Sequence, residues 1–392
     1  MPTVLPSMRT MRSAAIFASR RRDDMGIHGL NFATDFSGFR GVPSTRDSIS
    51  SGGETGMATT ASPSLRSVPA PRQTARFAPG FGQRSLLTVD TEEEFDWDGE
   101  FSTSDHGLKH LKSIAQFQQF AENIGVVPTY LIDWPIATSA RAQEMLGDYV
   151  RRGKAEIGIQ LHPWVNPPFE EKVNAYNSYA GNLPHALERE KFLRLQERIV
   201  ECFACTPQIY RAGRYGLGAQ SAQMLKDRRV AIDSSVRSLY DYSPSNGPDY
   251  SQHPLEPYWV DEERQLLELP LTTVFWGMLR HQGRWLFPRL AKLPKANGIM
   301  ARAGLLERIA LTPEGVPKEA ALRGIDMAID DGLPVLVLSF HSPSLMPGMT
   351  PYVRNEDDLD ELYDWLRSVY AYLEQRGVAP TTVEEIKASV EV

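Results

Sequence analysis

The sequence predicts an α/β fold in which about seven parallel strands carry helices on their outer side. Three observations lead there. From residue 85 to the end, short apolar runs alternate with stretches of helical period. Polar residues follow those apolar runs regularly, as they do at the carboxyl ends of parallel strands, where chemistry gathers. Residues 1–84 differ: they are rich in Ser, Pro, Gly, Thr and Arg and keep no sustained period. Such a composition buries too little apolar surface to offset the entropy of ordering, so 1–84 reads as a disordered tail, with Met57 as an alternative start. Residues 85–392 then form one domain.

The elements follow in order. "SLLTVD" is a short buried strand. Asp105 caps a helix whose inner positions are Leu108, Leu111, Ile114, Phe117, Phe120 and Ile124, stopped by Gly125. "VPTYLID" is a second strand, followed by a helix through Met145, Leu146 and Tyr149 to Gly153. "AEIGIQLH" is a third strand, and a helix spans roughly 185–204. "QIYRAGRYG" and "VAIDSSV" flank a short helix from Ala219 to Arg228, and "QLLELPLT" is another strand. Residues 276–313 break the rhythm and read as an inserted lobe. A helix through Leu322, Ile325 and Ile329 ends at Gly332, and "LPVLVLSFHS" is the strongest buried strand. The last long helix starts at Asn355, with Glu356, Asp357 and Asp358 favouring its macrodipole.

Composition narrows the function. The chain is 42% hydrophobic and 23% charged, enough for a sizeable core. Net charge is −7, yet residues 1–84 carry eleven Arg, no Lys and five acidic residues, so the remainder is strongly acidic. That argues against a nucleic-acid surface, which needs a basic stripe. Cys202 and Cys205 are the only cysteines. Without a second CxxC or a His cluster nearby they read as ordinary buried thiols, and a disulfide-built fold is excluded. A cytoplasmic location is the expectation. No window approaches the roughly 18 apolar residues of a membrane span. "RSAAIFASRRR" is too short for a signal peptide.

The strand ends collect Asp90 and Glu92, Asp133 and Trp134, Gln160, His162 and Trp164, Arg211, Arg214 and Tyr215, Asp233, Glu268, and His341. In chain order, "LTVDTEEEF", "EIGIQLHPW", "YRAGRYG" and "LSFHSPSLMPGMTPY" resemble the NodB-type polysaccharide deacetylases (carbohydrate esterase family 4), most nearly their WalW-like branch. The resemblance spans about 84–390. It implies a distorted (β/α) barrel of about seven strands and a metal-assisted hydrolysis of N-acetyl groups on a carbohydrate substrate. By the same likeness Asp90 is the general base, His341 the general acid, and Arg211 the residue that orients Asp90. Trp164, Tyr215, Arg214 and Asp133 are the expected substrate contacts.

The resemblance also implies a divalent metal, zinc first, with Glu92, His162 and Gln160 as its ligands. Two departures matter. Thr91 replaces the family's second Asp, passing the ligand role to Glu92 or to Asp90 itself. Gln160 and Trp164 stand where two histidines are expected, and a neutral amide oxygen is a poor zinc ligand beside an imidazole.

Other residues read as bland. Glu93, Glu94, Asp96 and Asp98 form a solvated loop, while His106, His110, His185, His253 and His281 lack ligand spacing. Two rival functions stand beside the hydrolase. One is a degenerate deacetylase fold that binds carbohydrate without turnover. The other is a glycosidase, which needs a second carboxylate across the cleft, and only Glu268 is available. The sugar, its linkage and the oligomeric state are not written in the sequence.

Overall fold

The computed structural model describes residues 64–391. The expectations for residues 1–63 lie outside the described residues. Strand β1 (Arg84–Thr91) is followed by α1 (Leu111–Asn123), β2 (Thr129–Ile132), α2 (Trp134–Thr138), α3 (Ala140–Arg151), β3 (Glu156–Leu161), α4 (His185–Phe203), β4 (Ile209–Ala212) and α5 (Ser221–Asp227). Short strands β5 (Ile232–Asp233), β6 (Tyr258–Trp259) and β7 (Leu267–Glu268) come next. The lobe holds β8 (Thr273–Trp276), α6 (Gly283–Leu290), α7 (Ala296–Arg302) and β9 (Glu307–Ala310). The chain ends with α8 (Lys318–Asp330), β10 (Val335–His341), α9 (Glu356–Gln375), β11 (Ala379–Pro380) and α10 (Val383–Ser389).

The main sheet runs β10-β1-β2-β3-β4-β5-β7-β6, with β11 also on β1. Every pairing is parallel except β6 with β7. The sheet curls, and the segment after β7 bridges its two ends: Leu271 N–H donates to the Val236 carbonyl and Thr272 N–H to that of Val337. The α/β class and the parallel strands are as expected, and the distorted barrel takes the form of a curled half-barrel.

Period-two alternation explains why the strands read as continuous apolar runs. On β1 and β10, Leu87, Val89, Leu336, Leu338 and Phe340 face the helix layer. Leu86, Leu131, Ile209, Ile232, Val335 and Val337 fill the lower barrel interior. Two residues further along each strand the same inner rows turn polar, at Thr88, Asp133, Arg211, Ser234 and Ser339, and Asp90 follows two residues after Thr88. The barrel is thus oily at the floor and charged at the mouth. Gly158 sits on the same inner row, where a Cβ would fall 2.6 Å from the Ile209 side chain.

Several expectations need correction. Helix α1 starts at Leu111, not Asp105, because Glu94 reaches across and takes the His110 backbone N–H (2.5 Å) and its Nδ1 (2.9 Å). The antiparallel strand β6 was not foreseen. The inserted lobe is a β8–β9 ribbon enclosing α6 and α7, and its small core of Phe275, Phe287, Leu306 and Leu239 begins before residue 276. The tail boundary at 84 falls too late. Leu65 and Phe81 are buried, Thr74 bridges to Tyr258, and Phe77 bridges to Val390. Cys202 and Cys205 are half-buried, and burial pushes the Cys205 thiol up to about 11, which leaves it inert. At α9, Asn355 caps as expected, accepting the Asp358 N–H at 3.0 Å.

A chain beginning at Gln83 should therefore be less stable than one beginning at Ser64. Losing the burial of Leu65 and Phe81 predicts a cost of roughly 3–6 kcal/mol, a fall in Tm on the order of 10 °C. Equal melting curves for the two chains would show that residues 64–82 add nothing to the barrel.

Candidate active site

Asp90 and His341 are direct neighbours across the β1–β10 ladder. Asp90 is almost fully buried, and its Oδ1 accepts from Arg211 Nη1. Arg211, itself buried, is satisfied on every side. Its Nη1 also donates to Ser339 Oγ (2.9 Å), its Nη2 to Thr88 Oγ1 (3.0 Å) and Ser234 Oγ (3.1 Å), and its Nε to the Ser234 carbonyl (2.8 Å). The guanidinium fork cannot rotate without breaking bonds to β1, to β10 and to Ser234 after β5, so Oδ1 is held and Oδ2 is left towards His341 Nε2, 3.9 Å away.

His341 is oriented from behind by a residue that the sequence reading missed. Glu314, in the "TPEGVP" turn after β9, accepts from His341 Nδ1 (2.6 Å), from its backbone N–H (3.1 Å) and from Ser344 Oγ (2.6 Å). Burial works against a charged imidazole, but Glu314, Glu92 and Asp90 overcome it and hold the His341 pKa well above the usual histidine range. These carboxyl groups favour the imidazolium form of His341, whose Nε2 faces Asp90.

The carboxylates expected to form a solvated loop are buried. Glu93 is fully enclosed, accepting from His162 Nδ1 (2.9 Å) and Trp164 Nε1 (2.6 Å). Asp133 is buried beneath it and accepts the backbone N–H of Glu93 and of Ile136, each at 2.9 Å. Burial, and then the neighbouring Glu93 carboxyl, raise the Asp133 pKa well above the usual range. Asp133 therefore caps α2 and steadies Glu93; it is closed to substrate. Glu94 and His110 are structural too, and His110 Nε2 meets Ser342 Oγ at 2.9 Å, tying the β1 loop to the β10 loop.

This arrangement fixes the His162 tautomer. With Nδ1–H given to Glu93, Nε2 turns towards Glu92 Oε2, 3.4 Å away, and when that nitrogen is unprotonated its lone pair is free for a ligand's role. Gly213 leaves room for the ring, since a Cβ there would fall 2.5 Å from His162 Cδ2. Glu92 is buried, and burial pushes its pKa up to about 8 although His341 and His162 pull the other way. Gln160 Nε2 donates to Glu92 at 3.0 Å, while Gln160 Oε1 is buried without a partner.

Those features fit a divalent cation. A buried carboxylate short of positive charge, an imidazole lone pair and an orphaned amide oxygen are three donors for one ion, and a cation would displace the Glu92 proton. Glu93, Asp133 and His162 also offer ligand atoms within 4.8 Å of one another. That trio is better read as a hydrogen-bonded support, because His162 Nδ1, both Asp133 oxygens and both Glu93 oxygens are already engaged.

The remaining expected contacts divide. Trp164 is buried, stacks on His162 (4.3 Å) and is covered by Phe101 (4.7 Å), so its faces are not open to a sugar. Arg214 donates to Ser178 Oγ (2.5 Å) and lies 4.2 Å over Tyr179, clamping that loop. Tyr215 is half-buried at the rim; it and Arg214 adopt left-handed φ values of 61° and 54°, a strained pair for non-glycine residues. Trp97, which the sequence reading passed over, packs edge-on to His341 (5.1 Å) and to Tyr352 (5.9 Å). Asp233 and Glu268 form a buried acid pair near Arg211, away from the cleft.

No family model and no curated protein matches the chain. Solved structures do, 45 chains in all. One is a protein assigned to the polysaccharide deacetylases from Mycobacterium smegmatis, 17% identical, TM-score 0.42, covering 79% of this chain and 98% of that one. A second, assigned as a glycoside hydrolase/deacetylase from Parabacteroides distasonis, is 12% identical with TM-score 0.48, covering 76% and 69%. A third is a CE4 family pseudoenzyme from Bacillus anthracis, 7% identical with TM-score 0.36, covering 78% and 65%. All three TM-scores lie below 0.5, and the function proposed for this chain stands on its own side chains.

Replacing Arg211 tests the buried pair. Arg211→Met strands the Asp90 charge and should cost about 3–5 kcal/mol in a denaturant titration. Arg211→Lys keeps the charge but has fewer donors than the acceptors around it, so it should lie between. A Met variant as stable as wild type would mean that Asp90 does not depend on the guanidinium.

Proposed function

We propose that the protein is a metal-assisted hydrolase that removes N-acetyl groups from a glycan or glycan precursor. One observation carries this reading. A carboxylate held by Arg211 and an imidazolium held by Glu314 meet at the ends of adjacent strands, beside Glu92 and His162. Amide hydrolysis needs a base for the attacking water and an acid for the departing amine, both within reach of one carbon.

Glu92, His162 through Nε2, and Gln160 through Oε1 would hold the cation. When bound, a divalent cation polarises an amide carbonyl and acidifies a neighbouring water. Asp90 takes the water's proton through Oδ2, since Oδ1 is occupied by Arg211. His341 gives the Nε2 proton to the amine nitrogen as the C–N bond breaks, releasing acetate and a free amine. Glu314 keeps His341 charged until that moment. Tyr215 and Trp97 flank the cleft as the aromatic walls available to a sugar ring.

A second reading, carbohydrate binding without turnover, is favoured by Gln160 alone, which supplies an amide where a stronger ligand is expected. The glycosidase reading has no support from Glu268, which is buried in its pair with Asp233. Among the described residues no helix is long and apolar enough to cross a membrane. A cytoplasmic location belongs to this proposal, as does kinship with the WalW-like branch.

The test is acetate release from N-acetylated chitooligosaccharides with zinc supplied. Asp90→Asn should lower turnover by about 10²–10⁴-fold with an unchanged fold. Full activity in that variant would remove Asp90 from the reaction.

Glu314→Gln tests the acid. Glu314 raises the His341 pKa, so removing its charge lowers it, and the imidazolium is lost at lower pH. The alkaline limb of the pH–rate profile should move to lower pH. An unmoved limb would show that His341 is not the acid titrating there.

A further inference from the structure

We propose that Arg237, supported by Arg308, forms a subsite beside the cleft that binds an acidic substituent, carboxylate or phosphate, on the glycan; the inference rests on the hydrolase reading above. Arg237 follows β5 by four residues, at the same strand-end face as Asp90 and His341. Its guanidinium lies 4.1 Å from the Tyr240 ring and 5.4 Å from the Tyr215 ring. Its one side-chain hydrogen bond is a long 3.4 Å contact to the Tyr242 hydroxyl. Arg308 lies 3.5 Å over the same Tyr240 ring and donates to the Leu239 carbonyl at 2.8 Å.

Among the described residues, neither guanidinium has a carboxylate within ion-pair distance. Arg211 and Lys191, by contrast, are paired with Asp90 and with Glu171 (2.9 Å), while Arg214 is held by the Ser178 hydroxyl and the Ala175 carbonyl. Two half-buried guanidinium groups around one tyrosine repel each other, and an arrangement of that kind is stabilised by an anion. The subsite adjoins the reacting groups. Tyr352, whose ring meets Trp97 next to His341, lies in the fields of both Glu314 and Arg237.

The chemistry of the cleft explains why such a site is needed. The carboxylates Asp90, Glu93 and Glu314 outnumber the cations Arg211 and His341 at the mouth, an imbalance that repels a negatively charged glycan. A guanidinium at the rim offsets that repulsion and, through its planar fork, fixes the orientation of an oxyanion. The aromatic rings around it exclude water.

Calorimetric titration of the full chain, with chelator present so that nothing is hydrolysed, tests this. Three probes are compared: chitobiose, the same disaccharide carrying a lactyl carboxylate (N-acetylglucosaminyl-N-acetylmuramic acid), and N-acetylglucosamine 1-phosphate. At low salt at least one acidic probe should bind about ten- to a hundredfold tighter than chitobiose, the range of a charged hydrogen-bonded contact. Which of the two binds tighter distinguishes carboxylate from phosphate. Arg237→Gln should bring it to the level of chitobiose, and Arg237→Lys, which keeps the charge, should retain part of the preference. Equal binding of all probes, no binding of any, or a preference that survives Arg237→Gln overturns the subsite. Loss of acetate release with the acidic preference intact would count against the hydrolase reading alone.

Discussion

Arg211 is the constraint on which the mouth of the barrel depends. A carboxylate as buried as Asp90 survives only with a charged, hydrogen-bonded partner, and Arg211 supplies it while bonding to β1, β10 and the residues after β5. The inner rows can therefore change from Leu86 and Ile209 at the floor to Asp90 and Arg211 at the mouth within one strand. Everything that follows, the opposed Asp90 and His341 included, is set by strand register once that pair is seated.

Around this pair each histidine has a carboxylate on its Nδ1: Glu93 for His162 and Glu314 for His341. The two are set to opposite tasks. His162 turns Nε2 towards Glu92, a ligand's posture. His341, in the summed field of Glu314, Glu92 and Asp90, keeps its proton, an acid's posture. Burial of Glu92 is what makes the first arrangement wanting without a cation.

Much of this was legible in the sequence because it follows from period two. Asp90, Gln160, Arg211 and His341 stand at the ends of apolar runs, and the sheet delivers them to one end. What was not legible comes from segments that fold back. Glu93 and Glu94 lie in a run of carboxylates that reads as a turn, and nothing local reveals that Trp164, His162 and His110 enclose them. Glu314 sits in a Pro-Gly turn, 27 residues before the histidine it holds. Residues 64–83 have too few apolar positions to show a period, yet Leu65 and Phe81 are anchors. Trp164 looked like an exposed sugar platform only because the Phe101 loop that covers it is remote in sequence.

The central claim is that Glu92 and His162 are half of a cation site at the mouth of the barrel. Equilibrium dialysis against zinc, comparing wild type with Glu92→Gln, tests it most directly. The account predicts about one zinc ion per wild-type chain, weakly held because Gln160 is a poor ligand, and none at that site in Glu92→Gln. No uptake by the wild type, or uptake untouched by Glu92→Gln, would contradict it.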